Sequence, residues 1–478
     1  MSLHPPVVTM PSRRSLLKAG GVLAAATLAP GTAGTASAQT EDRSADPWHK
    51  VPDILRKIRP PRFPRRRWEV TAFGAVGDGT TDCTAAFKAA IAECHRAGGG
   101  RVVVPPGRFL TGAVHLLSNV ELHVSEGGVI AFSTDPNAYL PVVFTRWEGT
   151  ECYNYSPFIY AHGQRNIAVT GKGTLDGQAR QGPWESWYAN SGPQGADQRA
   201  LRKMGDDGVP VEQRVFGAGH YLRPAMVQFV KCQNILVSDL TILEPAMWTV
   251  NPVLSTNVTV RGITVVSTLY NTDGCDPEAS SYVHIHNCRF NTNDDCVAVK
   301  SGRDADGRRV GVPSENIVVQ DCSFSGRWGG VTVGSEMSGG VRNVFAERCV
   351  INSPDFPGNY PVKYPVYIKA SKKRGAYVEG VYVRDFTGQN VDREVMFVNM
   401  AYQSNEQGTE PVSVRDIRME RTRLDGADAV LNLVGLETDH LAGVRLERCV
   451  FTNVTGPNMI TFTDDLTLRK VFVNGVEQ

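Results

Sequence analysis

The sequence predicts an all-β fold, a single-domain right-handed parallel β-helix whose N-terminal end is covered by one capping helix. Three observations support it: short strand-like phrases that recur, a loose period of recurrence, and one long amphipathic helix signal ahead of them. Each phrase places a cysteine in an apolar run, at Cys232, Cys288, Cys322, Cys349 and Cys449. One coil of a solenoid cannot bury its apolar face alone, so similar residues stack on neighbouring coils and recur along the chain.

The period of these phrases separates a solenoid from other repeat folds. The cysteines at 288, 322 and 349 are 34 and then 27 residues apart. Such loose spacing is expected when coils keep their strands and vary their loops, whereas propeller blades recur more regularly and sandwiches rarely need so many similar units. A solenoid also exposes a long face of parallel strands, which suits an extended polymer better than a compact metabolite.

The predicted capping helix precedes the repeats. Asp82 is in position to cap its start, and the run Gly98-Gly99-Gly100 ends it. Its apolar stripe at helical spacing consists of Cys83, Ala86, Phe87, Ala90, Ile91 and Cys94. A helix there would close the end of the β structure and protect its strand edge.

The N-terminus predicts export. Residues 1–38 are interpreted as a twin-arginine-type signal peptide: Arg13 and Arg14 precede an apolar run at 19–29, and small residues at 36–38 suit cleavage. The apolar run is too short and too rich in alanine and glycine to span a membrane. We therefore expect a secreted protein with no membrane attachment after cleavage.

Two regions follow the signal. Residues 39–67 are polar and then rich in proline and arginine, which favours an extended arm over a helix, and the β-helix domain is expected over 68–478. Without the signal peptide the chain has 47 basic and 49 acidic residues, so the charge balance gives no support for nucleic-acid binding.

The ten cysteines are expected to be mostly buried thiols, because twin-arginine export usually carries chains folded in a reducing compartment. Two pairs could form disulfides if their geometry permits. These are Cys83 with Cys94, and Cys275 with Cys296.

Three aspartates stand in two turns of the central repeats. Asp273 lies in the turn 271–276, and Asp294 and Asp295 lie in the turn 291–296. Asp273 and Asp294 are 21 residues apart, close to one coil, so the two turns should stack on the same face of the solenoid. Asparagine and aspartate are also common in ordinary turns, and that alternative would hold if the turns did not stack.

Such a cluster has the composition that glycoside hydrolysis needs. One carboxylic acid protonates the leaving oxygen, and at least one carboxylate serves the opposite face of the sugar. Crowding and partial burial raise the pKa of one group and leave another ionised.

The joint pattern resembles the polygalacturonases of glycoside hydrolase family 28, in particular a bacterial and plant-like branch that includes exo-acting members. The likeness covers nearly all of the chain after the signal peptide and peaks at the two aspartate turns. The other phrases that carry it lie at 73–79, 155–160, 171–177, 296–303 and 334–340.

The resemblance implies roles for the three carboxylates. Asp294 would be the general acid, while Asp273 and Asp295 would activate water for an inverting reaction. Inversion implies a separation of roughly 6.5 to 9.5 Å between acid and base. No metal and no other cofactor is expected.

Two positions depart from the family pattern. Trp328 stands where a histidine is usual, and Tyr367 replaces the arginine of an Arg-Ile-Lys element whose lysine, Lys369, is kept. A tyrosine cannot reproduce the two hydrogen bonds of an arginine fork to a carboxylate. Either the sugar preference has shifted, with Trp328 and Tyr367 as stacking surfaces, or other arginines supply the charge.

Further substrate-binding residues are proposed beside these. Arg303, Arg327 and Arg374 are the arginines that could supply the missing charge. Lys369 and Lys300 are expected to contact substrate, because a lysine in a strand-like run needs a paired charge or solvent. Trp328 and Tyr402 could line the sugar site or be packing residues.

Taken together, the sequence predicts an inverting glycoside hydrolase, expected to be monomeric, that cleaves pectic poly- or oligosaccharides and is exo-acting and polygalacturonase-like. Three alternatives stay open. They are a relative with shifted specificity, for rhamnogalacturonan or another pectin-derived glycoside, a pectate lyase, and a non-catalytic carbohydrate-binding β-helix. A lyase is disfavoured because the carboxylates do not form a recognised calcium motif.

Overall fold

The computed structural model describes residues 46–188, 192–403 and 408–478, and the predicted signal peptide at 1–38 lies outside them. In the described part the chain winds into a right-handed parallel β-helix, which confirms the predicted fold. No helix of the described residues is long and apolar enough to cross a membrane.

The helices of this part are few and short. There are five α-helices: α1 (Val51–Lys57), α2 (Thr84–Arg96), α3 (Trp184–Tyr188), α4 (Gln194–Asp206) and α5 (Asp304–Val310). Four 3-10 helices lie at Pro47–Lys50, Val70–Phe73, Pro136–Tyr139 and Val211–Gln213.

The strands are numerous and short. In the first half they are β1 (Arg67–Glu69), β2 (Asp78–Asp82), β3 (Gly100–Val104), β4 (Gly107–Thr111), β5 (Val114–His115), β6 (Val120–Val124), β7 (Gly128–Phe132), β8 (Val143–Trp147), β9 (Thr150–Asn154), β10 (Ile159–His162), β11 (Arg165–Thr170), β12 (Thr174–Asp176), β13 (Val215–Phe216), β14 (Val227–Val230), β15 (Gln233–Ser238), β16 (Thr241–Leu243), β17 (Val250–Val253), β18 (Thr256–Arg261) and β19 (Thr264–Val266). In the second half they are β20 (Ser281–His286), β21 (Arg289–Thr292), β22 (Val297–Val299), β23 (Ser314–Gln320), β24 (Ser323–Gly326), β25 (Gly329–Val333), β26 (Val341–Glu347), β27 (Val350–Ile351), β28 (Tyr364–Lys369), β29 (Ala376–Arg384), β30 (Thr387–Gln389), β31 (Glu394–Asn399), β32 (Val412–Glu420), β33 (Arg423–Ala427), β34 (Ala429–Val434), β35 (Leu441–Glu447), β36 (Val450–Val454), β37 (Met459–Thr461), β38 (Thr463–Asp464), β39 (Thr467–Arg469), β40 (Phe472–Val473) and β41 (Val476–Glu477).

These strands form three long sheets, and successive strands of one coil enter sheets A, B and C in turn. Sheet A has the order β1-β3-β6-β11-β15-β18-β20-β23-β26-β29-β32-β35-β38, with β39 also paired to β35. Sheet B has the order β2-β4-β7-β12-β16-β19-β21-β24-β27-β30-β33-β36-β40-β41. Sheet C has two parts, β5-β10-β14-β17 and β22-β25-β28-β31-β34-β37, and β8, β9 and β13 form a small separate sheet.

Stacked apolar columns hold the coils together. Residues in register on sheet A point inward and are almost fully buried: Ile235, Val258, Val283, Ile317, Val344, Val381, Ile417 and Val444. Each such side chain contributes about 1.5–3 kcal/mol relative to an exposed position. Because the column repeats on every coil, the sequence shows a repeat even though the loops differ in length.

The recurring cysteines follow the same logic. All ten cysteines are buried free thiols, which confirms the main expectation, and neither Cys83 with Cys94 nor Cys275 with Cys296 forms a disulfide. Four of the repeat cysteines, Cys288, Cys322, Cys349 and Cys449, lie at turns from sheet A to sheet B, whereas Cys232 lies at the turn from β14 of sheet C to β15 of sheet A. Each of the five thiols donates to the backbone carbonyl two residues earlier, as in Cys288 to His286 at 3.3 Å. A small apolar side chain with one weak donor fits this turn.

The predicted capping helix is present as α2. Its stripe residues are buried, and it packs against β1, β3 and β5 of the first coils. The carboxylate of Asp82 accepts a hydrogen bond of 2.9 Å from the backbone N–H of Thr84 at the helix start.

The N-terminal arm differs from the prediction. Residues 47–57 are helical rather than extended, and the compact unit begins at Pro47 instead of near position 68. Trp48, Val51, Ile54 and Ile58 pack on the outer face of sheet A. Their spacing of three to four residues is helical, but the proline- and arginine-rich composition around it hid the pattern. Residues 58–66 form no helix or strand.

Candidate active site

The aspartate cluster lies where sheet C is interrupted. Between β17 and β22, sheet C is continued only by isolated bridges. One runs from Val250 through Cys275 to Val297, and the other runs from Val253 through Glu278 to Lys300. Asp273 belongs to this irregular coil, and the next turn carries Asp294 and Asp295. Oxygen atoms of the three carboxylates lie within 4.8 Å of one another, so the predicted stacking of the two turns is confirmed.

The close approach of these oxygens, within 4.8 Å, follows from the scaffold. Neighbouring strands of a sheet are about 4.8 Å apart, and turns on adjacent coils inherit this spacing. The separation of roughly 6.5 to 9.5 Å between the acid and the base of an inverting pair stays a prediction.

Asp295 is held through both of its oxygens. Oδ1 accepts hydrogen bonds from the Gly329 N–H at 2.7 Å and the Thr332 hydroxyl at 2.9 Å, and Oδ2 accepts one from Lys369 Nζ at 2.7 Å. A Cβ at position 329 would lie 1.9 Å from Thr332 Oγ1, so this approach requires glycine. The side chain of Asp295 is fully buried, and its orientation is fixed by three donors.

Asp294 is half-buried and faces the cleft. Burial raises its pKa well above the ordinary value for aspartate, the neighbouring Asp273 and Asp295 raise it further, and Lys369 opposes the change. A carboxyl group of this kind stays protonated to higher pH and can act as an acid.

Asp273 lies against a second buried carboxyl group, Asp276. Lys300 Nζ is 3.5 Å from Asp273 Oδ2 and 3.7 Å from Asp276 Oδ1. Asp276 is fully buried, and neither of its carboxyl oxygens has a hydrogen-bond partner among the described residues. Burial raises the pKa of both, and that of Asp276 rises well above its ordinary value. We therefore expect Asp276 to be the protonated member of the pair, with its proton available to Asp273.

This pairing predicts different outcomes for two substitutions of Asp276. In Asp276→Asn an amide N–H replaces the donor, so kcat should stay within about 3-fold of wild type. In Asp276→Leu the donor is lost, and kcat should fall about 10- to 100-fold, the worth of a hydrogen bond to a charged group. Loss of the donor also raises the pKa of Asp273, so the low-pH limb of the rate profile should move to higher pH. Equal loss in both variants, at matched thermal stability, would contradict this role.

The cleft has a volume of about 280 Å³, and one wall comes from outside the coils. Glu148, in the turn between β8 and β9, accepts hydrogen bonds of 2.7 Å each from Gln198 and Arg202 of α4. These three side chains and Tyr188, the last residue of α3, line the cleft. Sequence reasoning missed this wall, because its residues lie in loops that carry no repeat signal.

Four of the substrate-binding candidates line the cleft: Lys300, Arg303, Lys369 and Tyr402. Glu336 lies beside them and was missed as a site residue, although it belongs to the phrase 334–340. It accepts from Arg303 at 2.8 Å and from Lys300 at 3.2 Å. Burial works against ionisation of Glu336, but Lys300 and Arg303 more than offset it, and the pKa of Glu336 is lowered.

The other four candidates, Tyr367, Arg374, Trp328 and Arg327, lie outside the cleft lining. Tyr367 is 5% exposed and stacks on Phe397, with ring centroids 5.4 Å apart. Arg374 is 1% exposed and donates to the carboxylate of Asp304 and, at 3.0 Å, to the carbonyl of Ser335. Neither contributes to the cleft lining.

Trp328, where a histidine is usual, is half-buried and also outside the cleft lining. Lys363 Nζ lies 3.9 Å from its ring centroid. The indole therefore packs against a cation and does not line the cleft.

The three aspartates are close enough to bind a cation, but their partners suit other chemistry. Lys369 and two further donors occupy both oxygens of Asp295, and Lys300 lies against Asp273. These ammonium groups already neutralise the carboxylates, so the arrangement favours proton transfer and water activation.

Comparison with known proteins agrees with this geometry. Residues 217–456, half of the chain, match the model of "Glycosyl hydrolases family 28". The chain belongs to this family. Residues 68–123 match a second family, described as "Rhamnogalacturonase A/epimerase, pectate lyase-like". The resemblance seen in the sequence is thereby confirmed.

Named relatives of this family 28 chain are polygalacturonases. It is 32% identical over 328 residues to a probable polygalacturonase of Vitis vinifera, covering 66% of this chain and 59% of that protein. It is 26% identical to the exo-poly-α-D-galacturonosidase of Dickeya chrysanthemi, covering 70% of this chain and 57% of that one. The chain thus spans under two thirds of these curated relatives.

Among solved structures, a hyperthermoactive exopolygalacturonase from Thermotoga maritima is similar over nearly its whole length. The two share 42% sequence identity with a TM-score of 0.85, over 91% of this chain and 97% of that one.

Proposed function

We propose that this protein is an inverting, exo-acting glycoside hydrolase that cleaves α-galacturonosidic bonds at the ends of pectic poly- or oligosaccharides. One observation carries the proposal: a carboxyl group of raised pKa, Asp294, lies within 4.8 Å of two carboxylates that are each held by a lysine. The similarity to exopolygalacturonases of Thermotoga maritima and Dickeya chrysanthemi supports the substrate.

The proposed reaction uses one acid and two bases in a single displacement. Asp294 donates its proton to the glycosidic oxygen as the bond from that oxygen to the anomeric carbon breaks. A water held by Asp273 and Asp295 attacks the anomeric carbon from the opposite face and gives its proton to the carboxylate pair. Sugar with inverted anomeric configuration and a shortened chain result.

The contacts of Asp295 suit a base that holds water. Oδ1 accepts hydrogen bonds from Gly329 and Thr332, while Oδ2 accepts one from Lys369 and keeps a second lone pair for a proton of the water. The other carboxylate, Asp273, lies 3.5 Å from Lys300 Nζ. The inverting course itself is proposed from the resemblance to family 28.

Exo-action is supported by the added wall. Glu148, Gln198 and Arg202 bring side chains into the cleft that the coils of a β-helix do not themselves provide. A polar cleft of about 280 Å³ with such an added wall suits a chain end better than the middle of a polymer.

We also propose that the protein acts outside the cytoplasm. Arg13 and Arg14, followed by an apolar run and small residues, support export. A polymeric pectic substrate, too large to be expected inside a cell, fits the same location.

The test is incubation of the purified protein with polygalacturonate, rhamnogalacturonan and pectic oligosaccharides in the presence of a chelator. We expect monomeric galacturonate from polygalacturonate, with a slow fall in viscosity, and proton NMR should show the β-anomer first. Early appearance of the α-anomer would exclude inversion. Absorbance from an unsaturated product, or turnover of rhamnogalacturonan alone, would replace the proposed activity by a lyase or by a different specificity.

A further inference from the structure

A cluster of cations and aromatic rings lies beside the turn of Asp294. The Arg327 guanidinium carbon is 5.3 Å from the ring centroid of Tyr270 and 5.6 Å from that of Tyr360. Lys363 Nζ is 3.9 Å from the ring centroid of Trp328. We call these five residues the aromatic rim.

The two cations of the aromatic rim lack ion-pair partners. Among the residues that the structure describes, no carboxylate oxygen forms an ion pair within 4.0 Å of Arg327 or Lys363. The Arg327 side chain donates one long hydrogen bond, 3.4 Å to the Asn293 side chain. Burial lowers the pKa of Lys363, Asp392 opposes this, and the like charge of Arg327 adds to the lowering. Both side chains are thus cations that an incoming anion would stabilise.

Cations inside the cleft are already neutralised. Lys300 and Arg303 bind Glu336, and Lys369 binds Asp295. Their side chains are only 2–9% exposed. Binding a uronate carboxylate requires a cation whose charge is not compensated by the protein, and Tyr367 removes the arginine expected for this task. The uncompensated charge lies on the aromatic rim.

The position of the aromatic rim identifies which part of the substrate it faces. Arg327 donates to Asn293, the neighbour of Asp294, and Tyr270 packs on Tyr188 of the cleft lining, with ring centroids 5.3 Å apart. Asp294 delivers its proton to the glycosidic oxygen, which departs with the leaving saccharide. Groups beside Asp294 therefore contact the leaving side of the bond.

We propose that the aromatic rim is the subsite for an acidic leaving saccharide, in which Arg327 and Lys363 bind its carboxylates and the ring of Tyr270 packs against a sugar face. Tyr270 is 44% exposed, as a stacking surface must be. This inference rests on the proposed function. It assigns the charge recognition that Tyr367 cannot supply to Arg327 on the preceding coil and to Lys363, which directly precedes β28.

The experiment compares two substrates that differ only on the leaving side. One is trigalacturonate, whose leaving saccharide is acidic, and the other is an aryl α-galacturonide, whose leaving group carries no carboxylate. In Arg327→Gln and Lys363→Gln we expect kcat/KM for trigalacturonate to fall about 10-fold each, the worth of one charge-assisted contact at a partly exposed site. For the aryl substrate the change should stay within about 2-fold.

The control is Lys172→Gln, which removes an exposed lysine that lines a groove beside sheet A, away from the cleft. It should leave both substrates unaffected. Added salt should lower kcat/KM for trigalacturonate in wild type, because salt screens the attraction between the rim cations and the substrate carboxylates. The effect should be much smaller in the variant that carries both Arg327→Gln and Lys363→Gln.

The outcomes separate the two proposals. Equal loss on both substrates, or no loss on trigalacturonate, would overturn the assignment of the aromatic rim while leaving the hydrolase intact. If wild type turned over neither substrate, the proposed function would fail first, and the leaving-side assignment with it. Calorimetric binding of digalacturonate to the Asp294→Asn protein gives a readout without turnover, and its Kd should rise about 10-fold when Arg327→Gln is added.

Discussion

Replacing Asp294 by asparagine is expected to lower kcat on oligogalacturonates about 10³- to 10⁴-fold, the upper range for loss of a general acid. Asparagine has nearly the same shape, and its side-chain oxygen can still accept the 2.9 Å hydrogen bond from the Asp295 N–H. What it lacks is an acidic proton. The loss should therefore appear in kcat, with KM and the thermal unfolding midpoint close to those of wild type.

The pH profile of the wild type is an independent test of Asp294 as the general acid. Asp294 is active when protonated, and burial together with Asp273 and Asp295 raises its pKa. The rate should stay high at pH values above the ordinary pKa range of an aspartate. It should then fall as the pH rises through the raised pKa of Asp294. In Asp294→Asn this high-pH limb should disappear.

A control uses the same substitution at the surface. Asp321 pairs with Arg348 on the exposed side of the coils, and Asp321→Asn should leave kcat unchanged. An aryl galacturonide with a good leaving group needs little protonation, so Asp294→Asn should retain far more of its rate on that substrate. Full activity of Asp294→Asn on oligogalacturonates would assign the acid to another residue.

Replacing Asp295 by asparagine should damage both activity and stability. The carboxylate accepts from Lys369 Nζ at 2.7 Å, and the side chains are 0% and 9% exposed. Removing one partner of a buried ion pair leaves an uncompensated charge, which costs about 3–5 kcal/mol. Loss of the base should lower kcat about 10²- to 10⁴-fold. Thermal unfolding and steady-state kinetics measure the two effects separately.

A double variant separates the loss of activity from the loss of stability. In Asp295→Asn combined with Lys369→Met the buried ammonium is absent, so most of the lost stability should return. Activity should not return, because neither residue can activate water. If kcat recovered together with stability, Asp295 would be needed only to stabilise the folded site and not to activate the reacting water.

The repeat architecture and the acid cluster could be predicted from the sequence because their signals are local or periodic. The column of apolar residues recurs from coil to coil, a cysteine recurs at four of the turns from sheet A to sheet B, and the apolar stripe of α2 has a helical period. Asp273 and Asp294 are 21 residues apart, about one coil, so their meeting followed from the period alone.

The tertiary structure decided which side chains surround those aspartates. Asp295 meets Lys369 across 74 positions and Glu148 meets Arg202 across 54, and no period in the sequence relates the members of either pair. The same holds for the position of Tyr367 in an aromatic stack, which sequence reasoning had placed at the substrate. Loop conformation and long-range packing fix these contacts, because their energy comes from groups that meet only after the coils have stacked.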